Sequence, residues 1–141
     1  MSRPSWDAYF MGLAIAASKR STCDRAFVGA IIVKDKDVIS TGYNGSPPGL
    51  PHCDDVGHFM VEDHCSRTIH AETNAILRAA RNGVSIKGAT IYTTHSPCLN
   101  CAKMIIGAGI VKVVSKQIYR DSTALNLISE ANITNVVIYE D

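Results

Sequence analysis

Apolar and polar positions alternate along this chain with two periods, and the switches between them outline its elements. Residues 5–20 read as a first helix: Ser5 can cap it, and Phe10, Leu13, Ala14 and Ala17 recur at helical spacing on one face. Ser21-Thr22-Cys23-Asp24 breaks that pattern. The run Phe27-Val28-Gly29-Ala30-Ile31-Ile32-Val33 reads as a buried strand, Lys34-Asp35-Lys36-Asp37 as a polar turn, and Val38 to Gly42 as the returning strand of a hairpin. Residues 43–69 carry no clear period and are rich in turn formers (Asn44-Gly45, Pro47-Pro48-Gly49, Pro51). A segment of that length without periodicity is usually functional or disordered, and its histidines and cysteines favour function.

Helical spacing returns near His70 and runs to about Arg81 on Ala71, Ala75, Ile76, Ala79 and Ala80, with Asn82-Gly83 as the stop. Thr90 to Thr94 reads as a strand. Pro97 and Cys98 open a third helix through about Ala108, with Gly109 beyond its end. Val111 to Ser115 is a strand, Ser122 to Ala131 a helix and Val136 to Tyr139 a last strand. The order αββαβαβαβ predicts an α/β protein with a mostly parallel sheet and helices on both faces. The 141 residues suit one domain spanning 1–141, long enough to bury a core without staples.

Composition adds mainly exclusions. Hydrophobic residues make up 46%, charged residues 19%, and the net charge is +1, so nothing asks for nucleic acid or a membrane surface. The N-terminus lacks the apolar core of a signal peptide, and no apolar run is long enough for a membrane helix. A cytoplasmic location is the expectation. There, five cysteines are metal ligands or buried thiols before they are disulfides.

The candidate chemistry is concentrated in His70-Ala71-Glu72 and Pro97-Cys98-Leu99-Asn100-Cys101. Cys98 and Cys101 are three apart, so one helical turn points both thiols the same way. One imidazole and two thiolates leave a tetrahedral zinc one protein ligand short, which is the pattern of catalytic sites. Both motifs open helices, whose N-termini favour thiolate and other negative charge. Glu72 sits beside the open position and is better placed to move protons than to fill it. An isolated Cys-x-x-Cys could be a redox pair or half of a closed zinc site, and an isolated His-x-Glu means little. Together, in this order, they are specific: His-x-Glu followed by Pro-Cys-x-x-Cys is the signature of the zinc nucleobase deaminases.

Further stretches extend the match. Thr68-Ile69-His70-Ala71-Glu72-Thr73-Asn74-Ala75-Ile76, Gly42-Tyr43-Asn44-Gly45-Ser46-Pro47, Ser96 to Lys103, Val28-Gly29-Ala30 and Ile118-Tyr119-Arg120-Asp121 together resemble the deoxycytidylate (dCMP) deaminases. These belong to the zinc-dependent cytidine/deoxycytidylate deaminase superfamily. Trp6-Asp7, Tyr9-Phe10-Met11 and Arg67 to His70 are similar to the bacterial and viral members. The likeness runs from about Trp6 to Tyr139.

The resemblance implies a three-layer α/β/α cytidine deaminase-like fold with a central five-stranded mixed sheet. It implies a hydrolase acting on a cyclic amidine C–N bond, converting dCMP and water to dUMP and ammonia and so feeding dTMP synthesis. In it, zinc-activated water attacks C4 of the cytosine. His70, Cys98 and Cys101 are the implied metal ligands, with Glu72 relaying protons to N3 and the departing amine. The Ala71 backbone N–H is the implied donor to the pyrimidine carbonyl, and Asn44 the partner of the sugar 3′-hydroxyl, unless Asn44-Gly45 is only a turn. For the 5′-phosphate the candidates are Arg25, Tyr119 and Arg120, since arginine offers a planar fork of donors. Family members are often homo-hexamers activated by dCTP and inhibited by dTTP, with Mg²⁺ binding alongside the triphosphate.

Cys23, Cys53, His58, His64 and Cys65 remain, and their types permit a second, closed zinc site pinning the long segment. Some viral relatives carry such a zinc, and Cys23 and Cys53 look like the matching positions. Plain buried thiols and surface histidines are the alternative. His95 could support the site or be merely polar. Met60, Met104 and Ile105-Ile106 read as core or subunit contacts. Two other functions stay open: deamination of another base, and a non-catalytic zinc protein on the same scaffold, which would have no use for Glu72.

Overall fold

The computed structural model describes residues 2–24, 26–61, 64–116 and 123–138, the side chain of His64 excepted. Its elements in chain order are α1 (Trp6–Ser18), β1 (Gly29–Lys34), β2 (Asp37–Tyr43), α2 (Cys53–Val56), β3 (Met60–Val61), β4 (His64–Cys65), α3 (Ala71–Arg81), β5 (Thr90–Thr93), α4 (Leu99–Gly107), β6 (Lys112–Ser115), α5 (Thr123–Glu130) and β7 (Thr134–Val137). Five strands form one sheet in the order β2-β1-β5-β6-β7, and β3 pairs with β4 apart from it. Among the described residues no helix is long and apolar enough to cross a membrane.

The sheet separates two cores because successive strand residues face opposite ways. Ala30, Ile32, Ile91 and Val113 point to one face, where they meet Ala71, Ala75 and Ala79 of α3, Ala102 and Ile105 of α4, and Ala124, Leu125 and Ile128 of α5. Ile31, Val33, Tyr92 and Val114 point to the other, against Phe10, Met11 and Ala14 of α1. The result is the three-layer α/β/α arrangement. Ser5 caps α1 as expected, its Oγ accepting from the Ala8 N–H at 3.1 Å.

The sheet is mixed, and only the β5–β6 and β6–β7 pairs are parallel. The hairpin turns β2 antiparallel to β1. The α3 crossover then returns the chain to the far side of β1, so β5 pairs antiparallel with β1 rather than parallel with β2. Boundaries also shift. β1 starts at Gly29, not Phe27, because the Val28 N–H is taken by the Asn44 side chain and Phe27 is exposed. β7 starts at Thr134, two residues ahead of the expected Val136. The segment 43–69 is not bare loop, since it holds α2, β3 and β4.

Two glycines allow helices to lie close on the hairpin. A Cβ on Gly29 would meet the backbone of Ala14 and Ser18 in α1. One on Gly42 would meet the Ala71 carbonyl and lie 2.6 Å from the Ala75 nitrogen. The alanine row 71, 75, 79 and Gly42 therefore bring the start of α3 directly onto β2.

Candidate active site

The site lies at one end of the sheet. Gly29 pairs with Tyr43 at the start of β1 and end of β2. Its N–H also donates to Thr94 Oγ1 at 3.1 Å, just past the end of β5. From that end the chain enters both α3 and α4. His70 is the N-cap of α3 in extended conformation (φ −64°, ψ 153°), and Cys98 is the N-cap of α4 (φ −73°, ψ 172°). Both motifs thus sit where unpaired backbone N–H groups and the helix dipole concentrate positive potential.

The two caps converge. His70 Nδ1 lies 3.5 Å from Cys98 Sγ and 3.4 Å from Cys101 Sγ. The three ligand atoms all fall within 4.8 Å of one another. A tetrahedral zinc with ordinary Zn–N and Zn–S bonds has N···S edges of about 3.5 Å, so these donors fit the ion. The charges fit as well. Hydrogen bonding from Cys101, aided by His70 and the Cys101 backbone N–H, holds Cys98 well below the usual thiol range, at about 3. Cys101 is pushed up by the neighbouring Cys98 and by burial. A thiol must lose its proton to bind a divalent cation.

Glu72, in the first turn of α3, is 4% exposed. Burial pushes its carboxyl up to about 7, against its own backbone N–H and the His70 ring, which pull it down; Cys98 adds to the rise. A carboxyl poised there can both take and return a proton near neutrality. Ala71 is fully buried, and its N–H belongs to the first helical turn, which has no partners within the helix.

The loop after β2 forms the next wall. Asn44 is buried, and its side chain joins the loop to the approach of β1: Nδ2 donates to the Ala26 carbonyl at 2.7 Å and Oδ1 accepts from the Val28 N–H at 2.9 Å. One amide hydrogen and one lone pair remain uncommitted by these bonds. Gly45 pairs with Ile69, the residue before His70. Asn74 Nδ2 donates to the Tyr43 carbonyl at 2.7 Å, tying the loop to α3. Ser46 Oγ is buried with no hydrogen-bond partner among the described residues. His95 follows β5; burial lowers its pKa, and Nδ1 lies 3.2 Å from Thr94 Oγ1. Arg25, Tyr119 and Arg120, the phosphate candidates, lie outside the described residues.

A second cluster gathers Cys23, Cys53, His58 and Cys65, again with all ligand atoms within 4.8 Å. Cys53 and Cys65 sulfurs are 3.5 Å apart, and Cys23 Sγ is 3.4 Å from His58 Nδ1. Burial pushes the Cys53 thiol up to about 12. Cys65 lies at about 6, because the Arg67 and Phe59 backbone N–H groups, Cys53 and His58 together outweigh its burial. Cysteine and histidine types singled out these residues, but no spacing rule grouped His58 and Cys65 with Cys23 and Cys53. Thr22, Thr73 and Asn74 carried no signal of their own. Their roles depend on side-chain directions that periodicity does not encode.

Residues 4–117 match the family model described as the cytidine and deoxycytidylate deaminase zinc-binding region. ComE operon protein 2 of Bacillus subtilis is 50% identical over 135 residues, covering 95% of this chain and 71% of that protein. The deoxycytidylate deaminase of Mycobacterium phage D29 is 43% identical over 125 residues, covering 81% and 96%. Among solved structures, the dCMP deaminase of cyanophage S-TIM5 in complex with dCMP and dUMP is similar at a TM-score of 0.85 and 32% identity, covering 98% of this chain and all of that one.

Proposed function

The chain belongs to the cytidine and deoxycytidylate deaminase family, and from that premise we propose that it hydrolyses dCMP to dUMP and ammonia. The observation that carries the chemistry is the three-donor cluster of His70, Cys98 and Cys101 with the buried Glu72 beside it. The substrate comes from the relatives named for dCMP, among them the phage enzyme covered over 96% of its length. In this reading His70, Cys98 and Cys101 hold zinc, which when bound lowers the pKa of a water from about 15.7 toward about 7.

The remaining work falls to the chain's own groups. Glu72 takes one proton from the water and passes it to N3 of the base as the hydroxide oxygen bonds to C4. It then takes the second proton from the new C4 hydroxyl and gives it to the amine, whose bond to C4 breaks to release ammonia. Its carboxyl is buried in the first turn of α3, two residues from His70, which supports a role in moving protons in both directions. The Ala71 N–H meets the pyrimidine carbonyl, and the uncommitted amide hydrogen of Asn44 meets the 3′-hydroxyl. Arg25, Tyr119 and Arg120 take the 5′-phosphate on the strength of the resemblance. We take residues 1–141 as a single deaminase domain, a reading supported by the five-stranded sheet with a core on each face.

We also propose that Cys23, Cys53, His58 and Cys65 hold a second, closed zinc. Three thiols and an imidazole at these separations support it, because the S···S edge of a zinc tetrahedron is about 3.8 Å and the N···S edge about 3.5 Å. The same family resemblance carries a cytoplasmic homo-hexamer that dCTP activates and dTTP inhibits with Mg²⁺. Sedimentation with and without each nucleotide tests that part.

The test of the activity is ammonia release from dCMP, dCTP, deoxycytidine and CMP by the zinc-loaded protein. Turnover of dCMP well above the others is expected. Deoxycytidine turned over as fast as dCMP would overturn the phosphate assignment, and no turnover of any cytosine compound would overturn the function.

A further inference from the structure

Two helices supply the ligands of the candidate zinc site, and one side chain outside the motif joins them at the sulfur. Thr73 follows Glu72 on α3, and its Oγ1 lies 3.4 Å from Cys101 Sγ on α4. The same oxygen is 3.4 Å from Met104 Sδ. The hydroxyl has one hydrogen to give, and a thiolate accepts more strongly than a thioether because the bond is charge-assisted. A threonine in a helix often turns its hydroxyl back to a carbonyl of its own preceding turn. Here it points across to the neighbouring helix instead.

The two sulfurs differ in what they receive. Cys98 Sγ takes the Cys101 backbone N–H at 3.5 Å, a bond that the helix N-terminus supplies whatever the side chain. Cys101 Sγ takes a side-chain donor that substitution can remove. We propose that Thr73 is a positioning residue of the deaminase site: its hydroxyl fixes the Cys101 sulfur across the α3–α4 junction and withdraws charge from it, so that the bound zinc stays strongly electrophilic. The proposal rests on the reading of His70, Cys98 and Cys101 as the zinc ligands. Thr73 touches no reacting atom in it. Partners at this remove from a metal typically change affinity or activity by about 10–100-fold when lost.

Thr73→Val keeps the β-branched shape and removes only the hydroxyl, while Thr73→Ser keeps the hydroxyl. Thr73→Ala serves if the valine variant does not fold. Each is loaded with NMR-active cadmium, whose resonance responds to thiolate bonding, and zinc affinity is measured by competition with a chromophoric chelator. In the wild type, the resonance that disappears in Cys98→Ala is assigned to the His70 site. The expected result is that Thr73→Val shifts that resonance and weakens zinc by about 10-fold or more. Its kcat for dCMP falls while KM holds, and Thr73→Ser restores all three. The resonance of the Cys23 cluster stays put as the internal control. An unshifted His70-site resonance with unchanged affinity in the folded valine or alanine variant overturns the role of Thr73. A wild-type spectrum in which Cys98→Ala removes no resonance overturns the zinc assignment itself, a separate outcome.

Discussion

Replacing Glu72 by glutamine should remove a pH-dependent cost that the metal-free fold carries. Glu72 is 4% exposed, and burial raises its carboxyl from 4.5 to about 7. In the unfolded chain the group ionises near its ordinary value. Between those two values the native state therefore holds a proton that the unfolded state has released. With the native state binding more protons, stability falls as pH rises from about 4.5 through about 7, then levels off. At about 1.4 kcal/mol for each unit, the full loss is about 3 kcal/mol, most of it between about pH 5 and pH 8. Glutamine has the same size and cannot ionise. Urea denaturation of metal-free wild type and Glu72→Gln at both pH values should show the variant gaining about 2–3 kcal/mol relative to wild type at the higher one. The comparison of two pH values cancels whatever glutamine does to packing. Restoring zinc to the wild type should flatten its slope, since a cation beside the carboxylate favours the ionised form. Parallel stability profiles for the two metal-free proteins would refute the burial argument.

Three other outcomes follow from the geometry. Gly42→Ala forces a Cβ against the backbone of Ala71 and Ala75, so it should cost about 1–3 kcal/mol in urea and lower dCMP turnover by displacing His70 and Glu72; an unchanged midpoint would show that α3 can give way. Asn44→Ala strands the Val28 N–H and the Ala26 carbonyl, at roughly 1–3 kcal/mol for each group left unpaired. Its KM should rise alongside the loss of stability, and Asn44→Asp should recover only the bond from Val28. Cys98→Ala should bind about one zinc fewer per chain and release no ammonia, while a metal count equal to wild type would remove Cys98 from the ligand set.

The parts of this molecule that could be read from the chain are those governed by period or by ligand chemistry. The alanine row of α3 declares its face because one side of that helix must be buried, and the unbroken apolar run 30–33 declares a strand covered on both faces. The convergence of His70, Cys98 and Cys101 is legible because the proposed metal takes few donor types and one helical turn fixes the thiol spacing. Other features rest on tertiary relations. That β1 pairs with β5 in antiparallel register follows from where the α3 crossover lands, and nothing within either strand encodes it. The early start of β7 is similar: Asn135 is a poor strand former by type and hides the strand that begins at Thr134, but the neighbouring β6 pairs with both residues. Cys23, Cys53, His58 and Cys65 come from separate loops and elements with no regular interval, so only folding shows them as one group.

The segment 43–69 raises an energetic question. Ordering a chain costs about 1–2 kcal/mol per residue, so holding this one costs tens of kcal/mol. Its regular structure is too short to offset that: α2 spans Cys53–Val56, and β3 and β4 have two residues each. A zinc held by the second cluster, as proposed, would contribute on the order of 10–16 kcal/mol. Hydrogen bonds also tie the segment to the rest of the fold. Thr22, next to Cys23, donates its N–H to the Asn44 carbonyl and accepts the Ser46 N–H on its hydroxyl. Gly45 exchanges both backbone bonds with Ile69, at 2.8 and 3.2 Å. These ties run from the second cluster to the residue before His70. The features that hold the segment in place are thus also those that fix the entrance to α3. A single set of contacts therefore stabilises an otherwise irregular loop and positions the imidazole and carboxylate on which the proposed chemistry depends.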